Sequence, residues 1–159
     1  MNTTEQREAV ITEAISWLGT GYHHLGNLKG VGVDCAMILV EVFSKAGVIE
    51  WFDPRPYPTD WFLHQSEEKY LQTMLPYAKE IPLNQAKRGD VILMKLGRTF
   101  SHSAILLDST QVIHAYAGER CVTYGDLTQL PFRGRAIKAF NPYGDVTEVI
   151  PLSPRNRSI

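Results

Sequence analysis

The feature that most constrains the fold is a change in hydrophobic pattern at about Arg88. Upstream, apolar residues recur at helical spacing, whereas downstream they form short apolar or alternating runs divided by turn residues. Those runs are "GDVILMKL", "SHSAILLD", "QVIHAYA", "RCVTYG" and "GRAIKAFNP", and they predict a meander of antiparallel strands. Helices followed by strands predict an α+β domain, in which the helices pack on one side of a small sheet or half-barrel.

Helices are predicted near both ends of the first half of the chain. Thr3 or Thr4 caps the first helix, which runs through Leu18 before two nearby glycines end it. Another helix fits residues 66–75, and Pro76 stops it because proline cannot continue the helical hydrogen bonding.

A central helix is predicted from about Cys35 to Ala46. Asp34 serves as its N-cap, and Gly47 lies just past its C-terminal end. Because its residues are apolar nearly all round, we expect this helix to be buried at the centre of the domain.

Length and charge limit the possible functions. At 159 residues the chain fits one domain, predicted over residues 1–142, and an arm over 143–159 that holds two prolines and two arginines. A net charge of −1 argues against a nucleic-acid partner. No apolar run approaches the roughly 18 residues of a membrane helix, so no membrane insertion is expected. The first ten residues lack the pattern of a secretory signal, which predicts synthesis in the cytoplasm.

The two cysteines, Cys35 and Cys121, are too few for a disulfide framework, although a single bridge between them stays open. Cys35 is the first residue of the predicted central helix. There the helix dipole and the unpaired amides of the first turn favour a thiolate, so its pKa should fall below the ~8.5 of an ordinary cysteine. The same amides could hold an oxyanion formed when the sulfur attacks a carbonyl. The alternative is a buried structural thiol.

A nucleophilic cysteine needs a base, and His102 and His114 are the two histidines that fall in predicted strands. If residues 108–110 form a three-residue hairpin loop, Leu107 pairs with Gln111. His102 and His114 are then diagonal neighbours on one sheet face, roughly 7–8 Å apart at the backbone. A two-residue loop would place them on opposite faces. On one face, His102 can meet the sulfur while His114 orients its ring. The remaining histidines lie in loops or at helix starts: His23, His24 and His64.

A metal site built from Cys35, His102 and His114 is the weaker alternative, because it lacks carboxylate support. We therefore expect neither a metal nor another cofactor.

The order of "VDCA", "RGDVILM", "SHSAILL" and "QVIHAYAG" resembles the NlpC-type family of papain-like cell-wall cysteine peptidases, over about residues 7–142. The resemblance implies a catalytic central helix packed on a C-terminal antiparallel sheet. It also implies that Cys35 is the nucleophile, His102 the base and His114 the orienting residue. Tyr22 matches a tyrosine that lines the family's active site and supports the oxyanion or the sulfur. The residues implied to border the substrate groove are Tyr22, Asp34 and Ser101.

Two segments, "GYHHLGNLKGVGVDCA" and "DPRPYPTDWFLHQSEEKYL", are similar to the phage-encoded branch of that family. That branch implies a protein made in the bacterial cytoplasm and carried in the virion tail, with tail-tip proteins as partners. The implied substrate is the peptidoglycan stem peptide of the cell wall. The implied reaction cuts between D-glutamate and diaminopimelate through a thioester intermediate.

The chain departs from the family pattern beside both reactive residues. Ala36 and Met37 stand where the family has Ser and Gly, and Ala104 replaces a glycine after His102. These departures predict a different substrate preference. The aromatic segment "EWFDPRPYPTDWF" has two interpretations. It either wraps the back of the helices, or its Trp51, Trp61 and Phe62 border the groove or contact a partner subunit.

Three other functions remain open from the sequence. One is a structural tail-tip or tail-assembly protein that uses the fold as an interaction module. Another is a cell-wall amidase that attacks the sugar–peptide junction, which these motifs do not separate from a peptidase. A third is a thiol acyltransferase. It is disfavoured because the lipid-acting relatives place the histidine before the cysteine, whereas Cys35 comes first here.

Overall fold

The computed structural model describes residues 1–57 and 69–145. Its helices are α1 (Thr3–Ser16), α2 (Cys35–Lys45) and α3 (Lys69–Met74). Its strands are β1 (Asn27–Leu28), β2 (Gly32–Val33), β3 (Lys79–Ile81), β4 (Val91–Leu96), β5 (Thr99–Leu106), β6 (Gln111–Tyr116), β7 (Cys121–Asp126) and β8 (Ile137–Asn141).

The longer strands form one six-stranded antiparallel sheet in the order β3-β8-β4-β5-β6-β7. This architecture confirms the predicted α+β class, and each of the five predicted strand runs contains one strand of the sheet. The sequence did not predict β3 or the small β1–β2 hairpin. These strands are only two or three residues long, too short to show a period of two.

Helix α1 begins one residue earlier than its predicted caps. Asn2 is the N-cap: its Oδ1 accepts from the backbone N–H of Glu5 at 2.9 Å, and the Glu5 carboxylate accepts from the backbone N–H of Asn2. This capping box satisfies two amides at once, which explains why Asn2 is used rather than Thr3 or Thr4. The helix also ends at Ser16, before the predicted Leu18.

Helix α2 matches its prediction closely. Asp34 is the N-cap, with Oδ1 accepting from the N–H of Met37 at 2.9 Å, and the helix ends at Lys45. Gly47 follows with a φ of +76°, a conformation that glycine adopts without strain. Each fully buried large apolar side chain contributes about 1.5–3 kcal/mol to folding. The buried residues of α2 are Met37, Ile38, Leu39, Val40, Val42 and Phe43.

The two faces of the sheet have separate apolar cores. One core joins the sheet to α1 and α2 and includes Leu93, Ile105 and Ile113. The other lies on the opposite face, where Phe132 packs against residues such as Val112. The sheet is therefore buried on both sides around its central strands.

An ion cluster ties α1 to the start of β4 and to the beginning of the predicted C-terminal arm. Arg7 contacts Asp90 at 2.9 Å and Asp145 at 3.0 Å, and its guanidinium lies 4.2 Å from the ring centroid of Tyr143. Residues 143–145 of the arm are thus held against the domain, while 146–159 lie outside the described residues. The domain boundary at residue 142 stays a prediction.

Candidate active site

The β5–β6 hairpin has the register that brings the two strand histidines to one face. Ile105 pairs with Ile113, and the N–H of Leu107 donates to the carbonyl of Gln111 at 2.7 Å. The connection is therefore the three-residue loop 108–110, as predicted. Asp108 stabilises it, since its Oδ1 accepts from two backbone N–H groups within the turn.

His102 and His114 form a buried hydrogen-bonded pair. Nε2 of His102 lies 2.8 Å from Nδ1 of His114, and the two residues are 5% and 2% exposed. Burial, and after it the charge of His114, lowers the pKa of His102 to about 3. Burial lowers the pKa of His114 to about 4. Both imidazoles are therefore neutral at neutral pH, so one nitrogen of each ring holds a lone pair.

Cys35 is the first residue of α2, as predicted, and contacts β5 on both sides of His102. Its Sγ lies 3.7 Å from the carbonyl oxygen of Ser101, and its own carbonyl accepts from the hydroxyl of Ser103 at 2.7 Å. These two contacts place the start of α2 directly beside the backbone of His102. The His102 ring itself packs with His114 and Phe132. The pairing of the Cys35 thiol with the His102 imidazole stays a prediction.

A β-bulge lies at Ser101. Strand β4 pairs Met94 with His102 and Lys95 with Phe100, so Ser101 is an extra residue on β5. Bulges change the direction of a strand and of the side chains beside them. The Ser101 hydroxyl is shielded from solvent and has no hydrogen-bond partner within the described ranges. Its place at the border of the substrate groove stays a prediction.

Asp34 is the centre of a hydrogen-bond cluster that the sequence did not predict. Its carboxylate accepts from the backbone N–H of Met37 and of Leu25 and from the hydroxyl of Tyr57, whose oxygen lies 2.6 and 2.8 Å from the two carboxylate oxygens. His24 approaches it at 3.7 Å. Asp34 is 1% exposed. Its observed role is to cap α2 and hold the loops around Cys35, and its role in substrate binding stays a prediction.

Tyr22 is half-buried next to this cluster. Burial, followed by the charges of Cys35 and Asp34, raises the pKa of the Tyr22 hydroxyl, which therefore stays protonated at neutral pH. Its backbone is held between β2 and the start of β7, because its N–H donates to the carbonyl of Arg120 and it bridges to Val33. A protonated phenol near the thiol is a hydrogen-bond donor, as its predicted role requires.

The residues after Cys35 lie away from the histidine pair. Met37 is fully buried in the core, and Ala36 lines an apolar cavity that is partly open to solvent. Ala104 is buried on the Phe132 side of the sheet. The cavity is also lined by Leu39, Phe43, Phe52, Tyr77 and Val91. Of the three departures from the family pattern, Ala36 is the one that lines this cavity.

The described part of the aromatic segment packs along α2 and reaches Asp34, while its placement at a groove or a partner subunit stays a prediction. Trp51 donates from Nε1 to Glu41 on the flank of α2, and Phe52 stacks on Tyr77 with centroids 4.3 Å apart. Tyr57 instead reaches Asp34 at the site. Trp61, Phe62 and His64 lie outside the described residues.

The remaining sequence alternatives concern cysteines, metals and membranes. Cys35 and Cys121 are not joined by a disulfide. In residues 1–57 and 69–145, no three His, Cys, Asp or Glu side chains are grouped to hold a metal ion. In the same ranges, every helix is too short or too polar to cross a bilayer.

Fold and site together define a class: an α+β domain in which a cysteine opens a buried helix beside a histidine pair on an antiparallel sheet. Residues 19–140 match the NlpC/P60 family, and the chain belongs to that family. This confirms the NlpC-type resemblance and its fold. The phage branch stays a prediction. No curated protein matches the chain.

Solved structures share the fold at low sequence identity. An NLP/P60-family protein similar to a lipoprotein, from Staphylococcus aureus, has a TM-score of 0.63 at 23% identity and covers 87% of this chain. The peptidoglycan hydrolase RipB from Mycobacterium tuberculosis has a TM-score of 0.63 at 20% identity and covers 88%. The chain spans 41% and 66% of those two proteins.

A third solved structure differs in its described function. RipD from Mycobacterium tuberculosis, with a TM-score of 0.54 at 16% identity over 84% of this chain and 95% of its own, is described as a non-catalytic NlpC/p60 domain protein adapted to peptidoglycan binding. The fold therefore does not by itself establish catalysis.

Proposed function

We propose that this protein is a cysteine peptidase that hydrolyses the stem peptide of bacterial peptidoglycan. The observation that carries the proposal is the start of α2, where Cys35 contacts Ser101 and Ser103 on either side of His102. The hydrogen bond from the His102 ring to His114 supplies the third member of the set. Membership of the NlpC/P60 family, whose members are usually cysteine peptidases, supports the same conclusion.

The first step is attack of Cys35 on the peptide carbonyl. The bond between His102 and His114 uses Nε2 of His102, which leaves Nδ1 as the nitrogen that takes the thiol proton. As the S–C bond forms, the carbonyl oxygen becomes an oxyanion. The N–H groups at the start of α2 and the positive end of its dipole stabilise that charge.

The second step breaks the C–N bond and leaves a thioester. His102 returns its proton to the leaving nitrogen, which departs as a free amine. Water then attacks the thioester, with His102 taking a proton from it, and the thiol of Cys35 is regenerated as the acid product leaves. In this scheme Tyr22 donates to the oxyanion or the sulfur, and Ser101 borders the substrate groove.

The bond we propose is that between D-glutamate and diaminopimelate, and the setting is a phage tail that opens the wall locally. The support for both is the resemblance of the segments around Cys35 and Tyr57 to phage-encoded enzymes. Detection of the chain in purified virions by mass spectrometry would support the setting, and its absence from intact tails would contradict it.

The direct test compares two cysteine variants on defined peptidoglycan fragments in which the stem peptide is still joined to its sugar. Cys35→Ala should lower the cleavage rate at least about a thousandfold, because the nucleophile is lost. Cys121→Ala is the matched control, since it also removes a thiol, and it should cleave like the wild type. Product masses identify the bond: a free amine on diaminopimelate marks a peptidase, whereas release of an intact stem peptide marks an amidase. Cleavage by Cys35→Ala at the wild-type rate would contradict the proposal.

A further inference from the structure

The rings of Tyr116 and Phe132 both pack against the histidine pair. The Tyr116 ring stacks on His114 with centroids 5.1 Å apart and planes 5° from parallel, and it meets the edge of His102 at 5.6 Å. Phe132 is fully buried, 5.3 Å from the His114 ring and 5.9 Å from the His102 ring. The proposed reaction gives neither aromatic ring a role.

A glycine on β7 makes room for this arrangement. Gly125 pairs with Val112, so it lies on the sheet face that carries His114. A Cβ atom at Gly125 would stand 2.9 Å from Nε2 of His114, 3.1 Å from Cγ2 of Val112 and 3.3 Å from Cε2 of Phe132. The first distance is shorter than real Cβ contacts allow. Any side chain at this position must therefore displace the imidazole.

At a second glycine, Gly118, the backbone lies directly against the Tyr116 ring. A Cβ atom at Gly118 would lie 2.6 Å from Cε2 and 2.9 Å from the hydroxyl oxygen of Tyr116. The phenol ring is thus held between the backbone of the turn after β6 and the face of His114. Tyr116 and Gly125 confine His114 from two directions.

We propose that Tyr116 and Gly125 are positioning residues, which hold the His114 ring in the orientation whose Nδ1 accepts from Nε2 of His102. The catalytic meaning of this inference rests on the proposed function. Both residues act through His114 and then through His102, and neither touches the reacting atoms.

The physical reason is the freedom of the histidine ring. Rotation about its terminal side-chain torsion is broad and roughly two-fold, so a loose His114 ring can flip. A flip replaces Nδ1 by a carbon atom and abolishes the hydrogen bond to His102. With the ring held, the proton of His102 stays on Nε2, and the lone pair on Nδ1 stays available to Cys35.

The first test is Gly125→Ala, with Gly21→Ala as the matched control. A Cβ atom at Gly21 meets only the Val31 carbonyl at 3.5 Å, an ordinary contact. Three readouts apply to each folded variant: histidine ring ¹⁵N NMR, kcat and KM on stem-peptide fragments, and the pH profile of Cys35 alkylation by iodoacetamide. Mass spectrometry of the digest separates Cys35 from Cys121.

Gly125→Ala should change the ¹⁵N signals of both rings and shift the alkylation profile. It should also lower kcat about tenfold or more while KM stays within about twofold. The reason is that the substitution disturbs the orientation of the base, His102, and leaves the substrate-binding residues unchanged. Gly21→Ala should match the wild type in all three. Wild-type ring signals and a wild-type alkylation profile in Gly125→Ala would overturn the proposal.

If Gly125→Ala fails to fold, a second pair of variants tests whether the ring of Tyr116 positions His114. Tyr116→Phe keeps the stacked ring and should behave like the wild type, whereas Tyr116→Leu removes the ring face and should show the same defects as Gly125→Ala. Equal losses in both variants would assign the effect to the hydroxyl and contradict positioning by stacking. Wild-type behaviour of Tyr116→Leu would contradict it as well.

These readouts separate the two proposals. If Cys35→Ala still cleaves, the proposed function fails, yet the ring ¹⁵N signals still report whether Gly125 and Tyr116 hold His114. If Cys35→Ala is inactive and Gly125→Ala is normal in every readout, only the positioning proposal fails.

Discussion

Two buried polar clusters show opposite ways of placing titratable groups inside this protein. Around Arg7, the guanidinium donates to Asp90, Asp145 and the carbonyl of Arg88, so the buried charge is compensated on several sides. The pair of His102 and His114 instead shares one hydrogen bond between aromatic rings and is neutral at neutral pH. The first cluster joins α1 to the start of β4 and to Asp145, and the second keeps both histidines neutral.

The pKa values follow from the same contrast. Burial tends to raise the pKa of Asp145, but hydrogen bonds from Arg7 and Asn141 and the charge of Arg7 lower it to about 2. Among the residues that the structure describes, no group of opposite charge raises the pKa of His102 or His114. Burial is the main cause that lowers both pKa values. Hydrogen bonds and the charge of Arg7 lower the pKa of the half-buried Asp145, whereas at the fully buried Asp90 burial outweighs the same charge and raises the pKa.

Among the substitutions compared at neutral pH, the one that breaks the ion cluster should lower stability most. Arg7→Leu leaves Asp90 and Asp145 without their cation and should lower the free energy of unfolding by about 3–5 kcal/mol. Chemical denaturation measures the change. The control is Glu8→Gln, which breaks the exposed pair of Glu8 with Arg88 and should cost less than about 1 kcal/mol. Equal losses of unfolding free energy in Arg7→Leu and Glu8→Gln would show that the buried Arg7 cluster stabilises the protein no more than an exposed ion pair does.

The next effect is acid sensitivity caused by the histidine pair. Below a pH of about 6.5 the unfolded chain protonates both histidines, while the folded chain keeps them neutral until about pH 4 and 3. The free energy of unfolding should therefore fall as the pH drops through that window, by up to about 1.4 kcal/mol per pH unit for each histidine. Asp145 adds its loss only below about pH 4, as the pH approaches 2.

Denaturation curves between pH 7 and pH 4 test this order. His114→Gln should make the slope shallower than in the wild type, whereas His23→Gln, at an exposed loop position, should leave the slope as it is. A wild-type slope in His114→Gln would remove the basis for a neutral buried pair.

The smallest of the three effects is expected at Asp34, which lies between the two extremes: a buried carboxylate held by neutral donors. Tyr57→Phe removes one hydrogen bond to it and should lower the free energy of unfolding by about 1.5–3 kcal/mol. Cys35 alkylation should also slow, because Asp34 caps the helix that carries the thiol. Tyr124→Phe, on a half-exposed ring, is the control and should change neither quantity. No change in Tyr57→Phe would mean that backbone donors alone hold Asp34.

Most of the fold and the centre of the site were predictable because their signals are local. The cap at Asp34, the apolar run after Cys35 and the turn at Asp108 each act within a few residues, and the strand alternation then brings His102 beside His114. The site's outer part was not predictable in this way. Tyr57 lies 23 positions from Asp34, and the β-bulge at Ser101 appears only when the pairing with β4 is known.

Backbone periodicity, capping and turn chemistry depend on neighbouring residues, so the helix start, the strands and the hairpin register were predictable from local sequence. The charge state of the buried polar side chains depends instead on tertiary contacts. Arg7 binds Asp145, which lies 138 positions away in the sequence. His114 stacks on the ring of Tyr116 and packs against Gly125, where a side chain would collide with it. The physical reason is that burial and compensation are properties of packed surroundings, which segments distant along the chain supply together.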